Sequence, residues 1–452
     1  MPFELTREYI DQLKELIRNK QDADSLEMIS DQHPADIAEV FRELDHEEAV
    51  YLYNLLDSEL SADVLVELPE DEREEFIRSM PVDLIARKVI DNMESDDAAD
   101  LLGELSEEKQ EEVLQSIEDV EQASDIADLL SYDEDTAGGL MAKELIKVKE
   151  DWDVARCITE IRKQSEEVYE FYYVYVVDKD DVLIGTVTLK KLIVSRSTTR
   201  IKNIVDRDII SVRTDTPSEE VANIMKKYDL VSLPVVDTLE RLVGRITIDD
   251  VVDVIQEEAE KDYQMISGIT EDVEHSDNVF LLTRARLPWL IIGLTGGILG
   301  SRVISMHESE LRISPEMALF FPLIGAMGGN AGVQSSSIVV QGIAAGTIDL
   351  QGISGKLLKE FSVAVINGLI LSTLIFIYNL LFSDSFALTI TVSVALFSVI
   401  LFASVFGTFV PLVLNKFKID PALATGPFIT TTNDIIGLSI YLAVGRIMYG
   451  IV

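Results

Sequence analysis

The sequence predicts a multidomain membrane protein. An all-α helical-repeat N-domain comes first, then a tandem α/β pair, a connecting helix and a five-helix transmembrane domain. Three observations carry this. Five long runs after Arg286 hold almost no charge. The first 283 residues are strongly acidic, with 72 acidic against 29 basic side chains, whereas the remainder is near neutral. Between the acidic start and the apolar end, one strand-turn-strand pattern occurs twice.

Residues 1–136 read as helical. Glycine is absent until Gly103, and short amphipathic stretches recur: HPADIAEVFRELDHEEAVYLYNLL, SADVLVELPEDEREEFIRSM, SDDAADLLGELSEEKQEEVLQSI and ASDIADLLSY. Each opens on an Ala-Asp or Ser-Asp step, which suits a helix N-cap. Repeated helix pairs of this kind stack into a short solenoid.

Two α/β modules follow, at 137–200 and 201–250. EFYYVYVVDKDDVLIGTVTLKKLI reads as strand, turn, strand, helix, and VSLPVVDTLERLVGRITIDDVVDVI repeats it about 60 residues later. In each, an apolar strand ends at an Asp (Asp178, Asp237) and the next strand holds a Gly (Gly185, Gly244). WDVARCITEIRKQ and SEEVANIMKKY supply the preceding helices. The pair resembles tandem cystathionine-β-synthase-type (CBS) modules, the second copy more closely. That resemblance implies possible nucleotide-binding residues Thr247 and Asp250, holding the ribose and phosphate of an adenine nucleotide such as ATP. The first copy has Thr188 but Lys191 where the Asp would stand.

Residues 251–283 form a connecting (plug) helix and linker. Val251, Val254, Ile255, Ala259 and Met265 fall along one side, and Glu257, Glu258, Glu260 and Asp262 enrich the other. Residues 284–452 are the transmembrane domain. The apolar runs are Leu287 to Ile304, Met317 to Ile348, Phe361 to Ser383, Ser385 to Asn415 and Pro421 to Gly445. Each reaches the roughly 18–20 residues that a bilayer-spanning helix needs. Arg284 and Arg286, Lys356 and Lys359, and Lys416 and Lys418 mark alternate connections as cytosolic by the positive-inside rule. The acidic half is then cytoplasmic and the C-terminus extracytoplasmic, in a multi-pass protein of the cell (inner) membrane. The N-terminus, MPFELTREYIDQLKELI, has no apolar signal core.

The net charge of −42 disfavours nucleic acid and anionic lipid heads as partners and attracts cations. The single cysteine, Cys157, excludes an intrachain disulfide and a cysteine zinc site. Four scattered histidines, with no Walker A loop and no HExxH, argue against an enzyme. Asp434 stands out most, lying mid-span in GPFITTTNDIIGLSIY with no Lys, Arg or His in that span to neutralise it. An ionisable group inside a membrane span is a functional candidate by default. One Asp per chain becomes a ring in an oligomer, a way to select cations. Asn330 and Gln334 in the second span, with Thr431 and Asn433 in the fifth, are the candidate pore-lining polar residues.

These parts in this order resemble the MgtE-type magnesium channel family over essentially the whole chain. The most specific stretches are FPLIGAMGGNAGVQS and DPALATGPFITTTNDIIG, with Asp434 where the family has its pore aspartate. The resemblance implies a homodimer with a pore between subunits, closed by magnesium bound among acidic cytosolic domains. It implies sensing ligands Asp229, Asp250, Asp253 and Glu219 in the second module, Glu258 and Asp262 in the connecting helix, and Asp96 and Asp100 in ESDDAAD. Two positions depart from the family pattern: Val333 replaces a second Asn after GGNxG, and Gly426 replaces an Asn before the last span's Pro-Phe. A secondary divalent-cation transporter, coupled to protons or sodium through Asp434, is the alternative.

Overall fold

The computed structural model describes residues 4–165, 168, 171–270, 273, 278–344, 353–424 and 426–451. The chain divides into two compact units, Met1–Gln256 and Glu257–Val452, and the helix Ile248–Ser267 runs across the division.

In the first unit, short helices follow one another from Arg7 to Leu129. Their caps are not the Ala-Asp and Ser-Asp steps that the sequence pointed to. Asp45, Asp57 and Asp119 accept first-turn N–H groups, and Asp45 forms a capping box with Glu48. Asp63 and Asp125 lie inside helices, and Asp36 and Asp96 lie in first turns, where a carboxylate favours the positive end of the helix dipole. The solenoid register shows in contacts made about one 30-residue repeat apart. Arg18 reaches Glu48, Arg42 reaches Glu72 and Arg73 reaches Glu104. Lys88 Nζ donates to the carbonyls of Tyr53 and Leu56, both at 3.0 Å, and Lys109 Nζ to that of Ile77 at 2.8 Å. Each adds a donor to carbonyls at a helix end, where the regular i→i+4 ladder runs out.

The two α/β modules each form a three-stranded sheet. The first orders β1 (Lys147–Lys149), β2 (Val174–Val177) and β3 (Leu183–Val187). The second orders β4 (Val212–Arg213), β5 (Ser232–Val236) and β6 (Leu242–Thr247). The hairpins β2–β3 and β5–β6 are antiparallel, as the repeated pattern predicts. The short parallel strands β1 and β4 left no such pattern. Asp178 and Asp237 turn the two hairpins by accepting N–H groups two and four residues on, at 2.8–3.0 Å. The second module shares one apolar core with the helical repeats, from Ile10 through Leu129 to Val254, whereas the first module has its own core around Val148, Cys157 and Val176.

Among its described residues, the second unit contains five long helices: Val279–Met306, Phe321–Ala344, Ile353–Phe382, Phe386–Lys416 and Pro427–Ile451. The first, third, fourth and fifth are long and apolar enough to cross a membrane. The second is not by hydropathy, because Asn330, Gln334 and Ser335 to Ser337 offset its apolar residues. Residues 345–348 of the expected second span lie outside the described residues. The last helix starts at Pro427 rather than Pro421. A separate 3-10 turn, Pro421–Ala424, precedes it, and Gly426 has φ of +51°. The fourth helix is the most buried; the second, third and fifth pack against it, and the first packs against the fifth.

Candidate ion pathway and acidic cytosolic cluster

Glycine faces bring the fifth long helix close to its neighbours. A Cβ on Gly325 of the second helix would lie 3.4 Å from Asp434 Oδ1, and one on Gly329 would lie 3.9 Å from it. A Cβ on Gly296 of the first helix would overlap Thr431, so Thr431 fills a glycine notch. Asp434 is half-buried and has no hydrogen bond or ion pair among the described residues. Asn330 and Gln334 are exposed at helical spacing on the second helix, one residue past Gly329 and Val333. Asn433 differs from these. It is 1% exposed, and its Nδ2 donates to the Gly328 carbonyl at 3.4 Å. A cavity of about 300 Å³ lies among the second, third and fourth helices, but Leu323, Met327, Leu371 and Leu396 make it apolar.

Within the same unit, the end of the connecting helix meets the start of the Asp434 helix. A Cβ on Gly426 would overlap the Ile266 carbonyl, and one on Gly268 (φ +83°) would lie 2.6 Å from Pro427 Cγ. Thr270 donates from both N and Oγ1 to the Ala285 carbonyl, at 3.0 and 2.9 Å. Gly426, one of the two departures from the family pattern, thus makes room for backbone.

The first unit holds an acidic cluster. Glu94, Asp96 and Glu144 each present a carboxylate oxygen within 4.8 Å of the others. Ser95 opens the helix Ser95–Gly103 and donates from N and Oγ to Glu144, at 3.1 and 2.7 Å. Glu144 is thereby fixed at a positive helix end. Arg245, 4% exposed, donates from Nη2 to Glu94 at 2.8 Å and from Nε to the Glu144 carbonyl at 2.5 Å. One buried cation therefore lies among several carboxylates. Burial pushes Glu94 up to about 7 despite the Arg245 pair, with Glu144, Asp250 and Asp249 adding to the rise. Asp97 is pushed up to about 7 by burial, then by Asp250, Asp100 and Glu94. Asp96 is held well above the usual carboxylate range by burial, then by Asp97 and Asp250. Asp250 Oδ2 accepts from Thr247 N at 3.0 Å and Thr247 Oγ1 at 2.7 Å.

The cluster thus joins three residues implied by the resemblance, Asp96, Asp100 and Asp250, with Glu94, Asp97 and Glu144, to which the resemblance does not point. Glu94 and Asp97 lie within ESDDAAD, so their neighbourhood is visible in the sequence. Glu144 and Arg245 had no local signal, because strand pairing and loop geometry bring them there. Asp229, Asp253 and Glu219 are exposed and are not part of this cluster. Asp229 ends the helix Ser218–Tyr228 with φ of +52°. Glu258 pairs with Lys261 at 3.2 Å, and Asp262 is half-buried. The donor set of the cluster fits a hard divalent cation. Magnesium takes oxygen ligands at about 2.0–2.1 Å, so opposite ligands stand about 4.2 Å apart, within a small side-chain adjustment of the cluster.

Comparison with known proteins gives the following. Residues 321–444 match the family described as a divalent cation transporter, residues 32–135 match the MgtE intracellular N domain, and 137–196 and 201–257 match CBS domains. The chain is 32% identical to the magnesium transporter MgtE of Thermus thermophilus, over 93% of this chain and 94% of that protein. It is similar to the crystal structure of the soluble part of a magnesium transporter, at 30% identity and a TM-score of 0.50, covering 56% of this chain and 98% of that one. It is also similar to the cytosolic domain of the Mg2+ channel MgtE in complex with ATP. There the identity is 33% and the TM-score 0.51, covering 54% of this chain and 99% of that one.

Proposed function

Because the chain belongs to the MgtE family of magnesium transporters, we propose that it is a homodimeric magnesium channel gated by cytosolic magnesium. The observation that carries the reading is Asp434, a carboxylate with no partner among the described residues, set against glycine faces within an apolar helical domain. In hydrocarbon such a charge is costly, and a cation path gives it a purpose. Exposed Asn330 and Gln334 point to the same path, since amides left facing lipid would lack partners. Five spans, with the acidic half cytoplasmic and the C-terminus outside, suit the basic flanks. The domain limits proposed are 1–136, 137–200, 201–250, 251–283 and 284–452.

In this reading magnesium is the cargo. Asp434 from two subunits would face one axis and attract the hydrated ion, with Thr431, Asn330 and Gln334 offering oxygen to its water shell. Magnesium sheds water reluctantly, so a wide ring of oxygens suits it better than a tight cage. The cytosolic ligands proposed are Asp96, Asp100 and Asp250 with Glu94 and Glu144, and separately Asp229, Asp253, Glu219, Glu258 and Asp262. Bound magnesium would cancel repulsion between these carboxylates and hold the soluble domains together. As cytosolic magnesium falls, the repulsion returns and favours the open pore. ATP at the CBS pair, with Thr247 and Asp250 toward its ribose and phosphate, is supported by the related cytosolic domain's complex. The test is magnesium uptake by proteoliposomes, with and without a proton gradient. Uptake that needs no gradient supports a channel, and uptake that stops when the gradient is collapsed contradicts it.

A further inference from the structure

We propose that Asn433 is a positioning residue. It pins the fifth long helix to the second so that Asp434 is held at its place on the ion path. This rests on the reading of Asp434 as the pore carboxylate and adds the group that aims it. Adjacent residues on a helix point about 100° apart. A side chain fixed at 433 therefore sets the direction of 434.

The fixation is specific. Asn433 is 1% exposed, and its Nδ2 donates to the Gly328 carbonyl. Its amide fills the space where Gly332 lacks a side chain, since a Cβ on Gly332 would overlap Asn433 Nδ2. Gly332 is itself backed by the fourth helix, because a Cβ on Gly407 would overlap the Gly332 carbonyl. Three helices thus close on one amide. The next residue, Asp434, lies beside Gly329 and Gly325, about one and two turns earlier on the helix that carries Gly332. Asn433 and Asp434 therefore read two adjacent stripes of one glycine-rich helix.

Packing alone does not call for an amide here. Asn433 Oδ1 is buried with no hydrogen-bond partner among the described residues. A buried acceptor left unpaired is destabilising, whereas an apolar residue of similar shape is nearly neutral. The bond that its other end makes to the Gly328 carbonyl gives the amide its role here.

The test uses the full-length protein in proteoliposomes and measures magnesium flux against concentration, with calcium flux alongside. Asn433→Leu keeps the branched heavy-atom shape, with somewhat more bulk, and removes the donor. Gly332→Ala keeps Asn433 but places a methyl where its amide sits. Both variants are expected to raise the KM for magnesium at least fivefold and to lower the ratio of magnesium to calcium flux, in protein that elutes as the parent does. A lower maximal flux with KM and ion preference unchanged would mean that the residues only hold the fold. Failure of both variants to assemble would mean the same, and either result overturns the proposal. The parent protein and Asp434→Asn run in parallel. If the parent conducts and Asp434→Asn does not, the pore reading stands whatever Asn433 does.

Discussion

Replacing Asp96 by Asn removes one charge from the cluster of Glu94, Asp96 and Glu144 while keeping the side chain's shape. The three oxygens lie within 4.8 Å of one another. At an effective dielectric of about 20, two unit charges at that spacing repel by roughly 3.5 kcal/mol. Asp96 faces two such neighbours, but Arg245 offsets part of the field and protonation relieves part. A net gain of about 1–3 kcal/mol in metal-free stability is expected for Asp96→Asn, together with loss of a magnesium ligand. The cytosolic fragment 4–256, unfolded in urea with and without magnesium, separates the two effects. In the parent, magnesium at about 100 times its dissociation constant should add roughly 2.7 kcal/mol. In Asp96→Asn the metal-free protein should be more stable and the gain from magnesium smaller. An unchanged gain, or a metal-free variant less stable than the parent, would refute the idea that this cluster stores repulsion for magnesium to release.

Three further outcomes follow from the geometry. Glu94 and Asp97 sit at about 7 in the folded unit, above the 4.5 and 3.8 of unperturbed groups, so the folded state holds protons more tightly than the unfolded. Without magnesium, stability of the fragment should therefore be greatest near pH 4–5 and fall as pH rises toward 7, by on the order of 1–2 kcal/mol per group after solvent screening. Urea titrations across that range check it. Saturating magnesium should flatten the profile. Gly426→Ala adds a Cβ at φ +51°, costing about 1–2 kcal/mol, and pushes on the Ile266 carbonyl. Proteolysis near Ile266 should quicken, and flux at magnesium levels that close the parent should rise. Arg73→Ala leaves Glu104, whose side chain is 6% exposed, without its guanidinium and should cost about 3–5 kcal/mol in the helical repeats. Thermal unfolding of the fragment measures it.

The sequence revealed what depends on periodicity and charge runs. The long apolar helices and the two hairpins are legible from local pattern, and so is the position of Asp434 within the last helix. Helix caps were misplaced because the Ala-Asp and Ser-Asp steps that recur belong to helix interiors or first turns, while Asp45, Asp57 and Asp119 do the capping. Strands β1 and β4 are two or three residues long and exist only through parallel pairing, which leaves no alternating pattern. The second long helix shows the limit of hydropathy: the polar residues that suggest an ion path also take it below the level of a lipid-facing span. The acidic cluster was half legible. The family resemblance points to Asp96, Asp100 and Asp250, but Glu144 and Arg245 reach the cluster through tertiary contacts that no spacing encodes. Asn433 neighbours Asp434 in sequence and so reads as pore-lining, yet one step along a helix turns it into the protein interior.

The central claim is that Asp434 carries the ion, and charge removal at constant size tests it most directly. Magnesium influx into proteoliposomes should be measured for the parent and for Asp434→Asn, each verified to be folded and of the same oligomeric size. The account predicts rapid influx for the parent at low luminal magnesium and near-background influx for the variant. Influx by Asp434→Asn at the parent's rate would contradict it.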